Sequence, residues 1–332
     1  MDTFVDSPVL AGHWYAVARS SEVSPGPAKV TLLGSDYVVW RDPDGQLTAA
    51  PDRCPHREAP LSAGWVTDGC VVCPYHGFTF ETGGRCVRVP SSPEGSKIPP
   101  KAHLSTVHVT DRYGLVWICP GEPTVGIPDI PQELDDSYRR INNPVEVWQT
   151  SATRMVDNFL DISHFPFVHT GTFGEGTETV VPKIELEELP DGFYGYAYDV
   201  TVNNPQSASA ASAAKATTKV LTRHMSSGFI LPFVCRSTIR YETGMDHILL
   251  LLSTPVDDVT SYFTFVVWRN DDFSAPADEI VAFDRAIGAE DKAMLEQLDG
   301  VLPFDQQATV SVQSDKPSVE WRRRFVKLLA GD

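Results

Sequence analysis

Residues 52–80, DRCPHREAPLSAGWVTDGCVVCPYHGFTF, hold the strongest metal-binding chemistry in the chain. Cys54 and His56 make one pair; after sixteen residues Cys73 and His76 make another. Pro55 and Pro74 follow the cysteines and Gly77 follows the second histidine, so each pair can be presented from a tight turn. Two thiolates and two imidazoles suit a [2Fe–2S] cluster with two Cys on one iron and two His on the other. A structural zinc site competes, because Cys70–Val71–Val72–Cys73 is also a C-x-x-C clip and Cys86 lies nearby. Zinc clips pair like with like, whereas each clip here mixes a thiolate with an imidazole, which weighs for the cluster.

A second group follows at 152–169. Residues 152–164, ATRMVDNFLDISH, read as a helix, and FPFVH carries the chain on to His169. Five helical steps would turn His164 and His169 about 140° apart. Pro166 is expected to end or kink the helix near Phe165 and so free both rings to converge on one ion. Two imidazoles with one carboxylate and open positions form the facial triad of non-haem Fe(II) sites that activate O2. The same two histidines, flanked by Phe and Val, also fit a packed core.

CPHR at 54–57, CPYHG at 73–77 and the spacing of Asn158, Asp161, His164 and His169 together resemble the Rieske non-haem iron oxygenases. The resemblance covers essentially the whole chain. Respiratory and photosynthetic Rieske proteins have an extra Cys in each loop; here those positions are Ala59 and Tyr75, so no disulfide flanks the cluster. Phe78 stands where the family commonly has Trp. The resemblance implies that Cys54, His56, Cys73 and His76 bind the [2Fe–2S] cluster. It implies that His164 and His169 bind a mononuclear Fe(II), with Asn158 just outside the ligand sphere. It makes Asp161 the carboxylate linking His164 to His76 of a neighbouring subunit, which requires a ring, a homotrimer.

By the same resemblance the chain is a terminal oxygenase (alpha) component, similar to the vanillate and dicamba O-demethylase type. Such a component uses O2 to hydroxylate or oxidatively demethylate a small organic substrate, aromatic or polycyclic. The chain has no G-x-G-x-x-G and no plant-type ferredoxin spacing, so electrons from NAD(P)H must arrive through a separate reductase, with or without a ferredoxin. A cis-dihydroxylating dioxygenase is the alternative chemistry. A Rieske electron-transfer protein whose second domain binds a ligand without oxidising it is the alternative from another class.

The third ligand must be a carboxylate. Ser274 is a plausible cap for a helix reaching about Leu298, with Asp278 and Glu279 at its positive end. Asp291 there has Ile287, Met294, Leu295 and Leu298 at helical spacing, and a charge centred on an apolar face is costly unless paired or metal-bound. Neighbouring Glu290 sees only Ala286 and Ala293. The EDKAMLE run also resembles the place where these oxygenases supply their Asp ligand, so Asp291 is selected, with Asp284 one heptad earlier as fallback.

Positioning these groups takes two domains, expected at 1–125 and 126–332. Many short strands with Gly and Asp–Pro turns before residue 120 read as an all-β cluster domain. Residues 179–268 read as an antiparallel sheet, which with flanking helices gives an α+β, helix-grip catalytic domain. The small polar tract 205–218 reads as a candidate flap over a pocket. WRRRFVKLLAGD at the end reads as a docking helix with a solvated basic side. A formal charge of −17 without a basic stripe argues against nucleic acid, and no apolar run is long enough for a membrane span. The absence of a signal-peptide pattern, with four cysteines left over as buried thiols, points to the cytoplasm. Residues 52–101 are nearly neutral, with six basic against five acidic residues, a contrast that could orient an acidic electron donor.

Overall fold

The computed structural model describes residues 3–24, 26–93, 95–174, 178–203, 220–242 and 244–331. The chain divides into two compact units, Val5–Gly126 and Ile127–Asp332, the latter joined by Met1–Phe4. Phe4 is buried in the second unit against Phe233 and Phe325. The tract 205–218 lies outside the described residues.

The described residues of the first unit form ten short strands. These are β1 (Tyr15–Arg19), β2 (Ala28–Leu32), β3 (Ser35–Arg41), β4 (Leu47–Pro51), β5 (Trp65–Thr67), β6 (Cys70–Val72), β7 (Thr79–Phe80), β8 (Cys86–Arg88), β9 (His108–Arg112) and β10 (Leu115–Cys119). They form three antiparallel sheets, β1-β10-β9, β2-β3-β4 and β5-β6-β7-β8. Val38 and Trp40 of β3 meet Val71, Phe80, Cys54 and Cys73 in one apolar cluster. Trp40 Nε1 donates to Gly69 O (3.2 Å), tying β3 to the turn before β6. Asp52 accepts from both Ser62 N (2.7 Å) and Ser62 Oγ (2.5 Å), which closes the chain around the first Cys–His loop. The small sheets thus frame the two loops that carry the cysteines.

The second unit holds one antiparallel sheet. Its strands are β11 (Arg139–Asn142), β12 (Glu146–Trp148), β13 (Glu187–Glu188), β14 (Tyr194–Asn203), β15 (Val220–Ile230), β16 (Val234–Tyr241), β17 (Asp246–Pro255) and β18 (Ser261–Arg269). Their order is β11-β18-β17-β16-β15-β14-β13, with β12 also on β18. Alternation divides its faces. Ile248, Leu250 and Leu252 of β17 are buried on one side, while Leu249 and Leu251 join Phe263, Phe265 and Val267 on the other. Met155 of helix α1 (Ala152–Leu160) and Leu295 of helix α3 (Ala277–Leu295) pack into that second group. A single turn, α2 (Phe165–Val168), lies between them in sequence.

Three local expectations change. Helix α1 ends at Leu160, not near Phe165, because Asp161 takes extended backbone and accepts from Ser163 N (2.8 Å) and His164 N (3.1 Å). An Asp that captures the next free amides stops a helix before Pro166 can. Pro166 instead opens α2, at the first turn where a missing N–H costs nothing. Ser274 is not the cap of α3, whose N-cap is Pro276; Ser274 N–H is spent on Asp272 Oδ1 (2.9 Å). The basic side of the last helix, α4 (Lys316–Ala330), is not simply solvated. Arg322 is buried and donates to Pro303 O (3.3 Å), and Arg324 lies 3.6 Å over the Tyr194 ring.

Two candidate metal centres

The two Cys–His loops share one backbone design. Cys54 N–H donates to Ala59 O (2.9 Å) and Glu58 N–H to Cys54 O (2.8 Å); Cys73 N–H donates to Phe78 O (2.8 Å) and Gly77 N–H to Cys73 O (3.0 Å). The residue four past each cysteine is left-handed, Glu58 at φ 60° and Gly77 at φ 69°. At Gly77 a Cβ would also stand 3.0 Å from Pro90 Cγ, so glycine answers both demands. The design turns Cys54 and Cys73 inward, each 1% exposed, and leaves both imidazoles at the surface. The His56 and His76 ring centroids lie 4.5 Å apart, and Phe78 stacks on His56 at 4.7 Å.

Burial pushes the Cys54 thiol up to about 11; backbone donors at His56 and Arg57 oppose the rise and neighbouring Cys73 adds to it. Two buried thiols side by side ionise only if a cation takes up the charge, and cluster iron fits that demand. Cys70 and Cys86 stand outside the set, with their sulfurs on Asp68 O (3.7 Å) and Arg88 O (3.5 Å). Among the described residues neither joins a group of three converging metal-ligand atoms.

In the second unit one such group exists among the described residues: His164, His169 and Asp291. His164 Nε2 and His169 Nε2 lie 3.2 Å apart, and Asp291 Oδ1 is 3.4 Å from each. With ligand bonds of about 2.1 Å, these edges subtend roughly 100–110° at an ion and leave its far side open. Burial opposes charge on His164, yet Asp161 and Asp291 outweigh it and raise its pKa to about 9. The bare triangle therefore draws a positive charge to the point where an ion would sit. The fallback Asp284 stays away from it, accepting from Asn143 Nδ2 (3.2 Å), its carboxyl pushed up by burial to about 6.

Every corner of the triangle is held from behind. Asp161 Oδ2 lies 3.0 Å from His164 Nδ1, which turns Nε2 toward the triangle, while Asn158 Nδ2 donates to Asp291 Oδ1 (3.0 Å). Glu290 Oε2 lies 3.0 Å from His169 Nδ1 and also accepts from Thr172 Oγ1 (2.6 Å); its Oε1 accepts from Gly171 N (2.8 Å). A Cβ on Gly171 would stand 2.7 Å from that Oε1, so a side chain there would push the carboxylate off its present place. Sequence reasoning passed over Glu290 because its helix neighbours are alanines; the Gly171–Thr172 pair after His169 was its only local trace. Removing a carboxylate that orients a ligating imidazole costs metal affinity about 10- to 100-fold. Glu290→Ala is therefore expected to lose iron to a competing chelator at that much lower chelator concentration, with Glu290→Gln intermediate and the cluster spectrum unchanged.

The triangle lies on the wall of a cavity of about 620 Å³. Phe165, Phe173, Phe263, Phe265, Leu249 and Leu251 line it near apolar helix residues, and Arg223, Tyr241, His247 and Arg269 contribute polar groups. Such volume and lining suit a small organic molecule.

Comparison with known proteins matches a domain profile in each unit. A profile for the Rieske [2Fe-2S] domain matches residues 13–107, and one for the vanillate O-demethylase oxygenase C-terminal domain matches residues 148–331. The chain is 31% identical to methylxanthine N1-demethylase NdmA of Pseudomonas putida over 327 residues, 95% of this chain and 88% of that one. It is 37% identical over 160 residues to the oxygenase component of dicamba O-demethylase from Stenotrophomonas maltophilia, 47% of this chain and 46% of that one. The solved structure of NdmA from Pseudomonas putida CBB5 with caffeine superposes with a TM-score of 0.81 at 28% identity, covering 98% of this chain and 93% of that one. A cluster domain of ten short strands, a sheet domain cupping an open carboxylate–bis-histidine triangle and these whole-length likenesses converge: the chain belongs to the Rieske non-haem iron oxygenases and is a terminal oxygenase component with a vanillate O-demethylase-type catalytic domain.

Proposed function

We propose that this oxygenase oxidatively demethylates or hydroxylates a small ring compound at Fe(II) held by His164, His169 and Asp291. The observation that carries the proposal is the 3.2–3.4 Å triangle opening onto a cavity of about 620 Å³. Demethylation is favoured because NdmA and dicamba O-demethylase, the relatives compared above, are named for it. When bound, the iron supplies O2 activation and the [2Fe–2S] cluster on Cys54, His56, Cys73 and His76 supplies electrons.

The chain's own groups do the positioning. Asp161 and Glu290 hold their imidazoles with Nε2 toward the ion, and Asn158 keeps Asp291 Oδ1 in place. Phe165, Phe173 and Phe263 narrow the space beside the triangle and exclude water from it, which suppresses unproductive reduction of O2. By the family resemblance Asp161, which accepts from His164, receives an electron from His76 of the partner subunit, and the working form is then a homotrimeric ring. Electrons start at NAD(P)H on a separate reductase, with or without a ferredoxin. No helix among the described residues is long and apolar enough to cross a membrane.

The test is a panel of methoxy- and N-methyl-substituted ring compounds with a surrogate reductase, scored for O2 uptake and formaldehyde together. A true substrate gives about one formaldehyde per O2. Uptake that yields only peroxide with every compound, in protein carrying both metals, would overturn the reading.

A further inference from the structure

The cavity wall carries one sulfur atom among its described residues, Sδ of Met225. Met225 pairs with Tyr198 on β14 and with Ile239 on β16, and all three side chains line the cavity. Tyr198 Oη donates to that sulfur at 3.3 Å, which steadies an otherwise flexible side chain and leaves one sulfur lone pair unused. The pair shares its surroundings with the triangle. Tyr198 and Phe165 pack against the same buried group, Ile162, Ile184 and Tyr196, and the Phe165 ring lies 4.9 Å from that of His164. The other described methionines are placed differently: Met155 and Met245 are buried, and Met294 is exposed on α3.

A thioether is oxidised far more readily than an aromatic ring or an aliphatic C–H. A site that transfers an oxygen atom to carbon therefore endangers this sulfur whenever no substrate lies between them. Confinement adds to the danger, since one oxidant molecule in about 620 Å³ is at roughly 3 M.

We propose that Met225 is a modification site: in the absence of a fitting substrate the enzyme oxidises its own sulfur to the sulfoxide. The sulfur lone pair takes one atom of O2, so an S–O bond forms while the O–O bond breaks. The other atom leaves as water, with two electrons from the reductase and two protons, the same balance as monooxygenation of a substrate. The product is a polar group on the cavity wall, and Tyr198 Oη exchanges a weak sulfur acceptor for a strong oxygen one. An enzyme that idles thus marks and slows itself, and reduction of the sulfoxide restores it. The inference deepens the proposed function and rests on its oxygen chemistry, not on which compound is the substrate.

Protein carrying both metals is run with a surrogate reductase under oxygen-18 gas, with catalase to remove escaped peroxide. One run has no substrate, and the others have each methoxy- or N-methyl-substituted compound of the panel. Peptide mass spectrometry is expected to find labelled oxygen on Met225 and none on Met294, in step with O2 uptake that yields no formaldehyde. A compound that is demethylated should lower that label about tenfold or more, because it takes the oxygen first. Asp291→Ala, run in parallel, should carry no label. Met225→Leu, read against its own initial rate, should keep its activity about threefold longer than the parent during uncoupled turnover. O2 consumption with Met225 unlabelled, or with Met294 labelled as heavily, overturns the proposal and leaves the oxygenase reading intact. Equal label in Asp291→Ala overturns it too, since the oxygen then comes from outside the site. No O2 uptake under any condition removes both.

Discussion

Asp291→Ala is expected to give a protein with its full cluster spectrum, about two irons per chain instead of about three, and turnover lowered more than about 100-fold. The carboxylate supplies one corner of the triangle, 3.4 Å from each imidazole nitrogen, and among the described residues no other carboxylate joins that group. Two histidines alone form a weak chelate, open to solvent where the anion was. Asn158 Nδ2 also loses its acceptor, at a cost of about 1–3 kcal/mol if the amide stays buried. Iron analysis beside the cluster's absorption decides the matter. A variant that keeps its third iron and turns over would hand the anionic position to Glu290.

Mixing two dead chains is expected to revive turnover. With the proposed ligand sets, His76→Ala takes a cluster ligand from an exposed position, so the fold is expected to survive, and Asp291→Ala takes the iron site and leaves the cluster. If electrons cross between subunits through Asp161, a centre works when its own chain has iron and its neighbour has a cluster. Random co-assembly in equal amounts then gives about a quarter of the parent's turnover, whereas each variant alone gives almost none. Transfer within one chain predicts no recovery, since no chain in the mixture has both metals. Replacing Asp161 itself by Asn in the parent should stop turnover with both metals present, because the amide NH2 must face the N–H of either Ser163 or His164 and the neutral side chain no longer holds the imidazole as a carboxylate does.

The cluster loops were legible because their chemistry sits in contiguous tri- and tetrapeptides, where residue type and backbone turn are one local matter. The His164–His169 pair was legible for the same reason, although the helix stop came from Asp161 and not from Pro166. Asp291 was reached partly by a wrong route. Met294 and Leu298, taken as its apolar companions, are 41% and 36% exposed, and Ile287 with Leu295 mark the inward face instead. Glu290 was illegible because its meaning depends on a partner 121 positions away. Strand β15 gave no apolar alternation: its cavity side holds Arg223 and Met225 and its other positions include Ser226 and Gly228. A strand that serves a ligand loses the periodicity that would reveal it.

The spans of the two metal sites have a consequence for how the protein is made. The proposed cluster ligands fall within one short stretch, on loops closed by their own backbone hydrogen bonds. They can be complete as soon as the first unit leaves the ribosome. The mononuclear site joins α2 to α3 across nearly the whole sheet, so it does not exist until the last strand has paired and α3 has docked. Iron captured there acts as a late staple, and an ion present at a thousand times its Kd adds about 4 kcal/mol to the second unit alone. With the proposed ligand sets, maturation is expected to run in that order, cluster first and mononuclear iron last. Cells short of iron would accumulate chains that are coloured, folded at one end and catalytically silent.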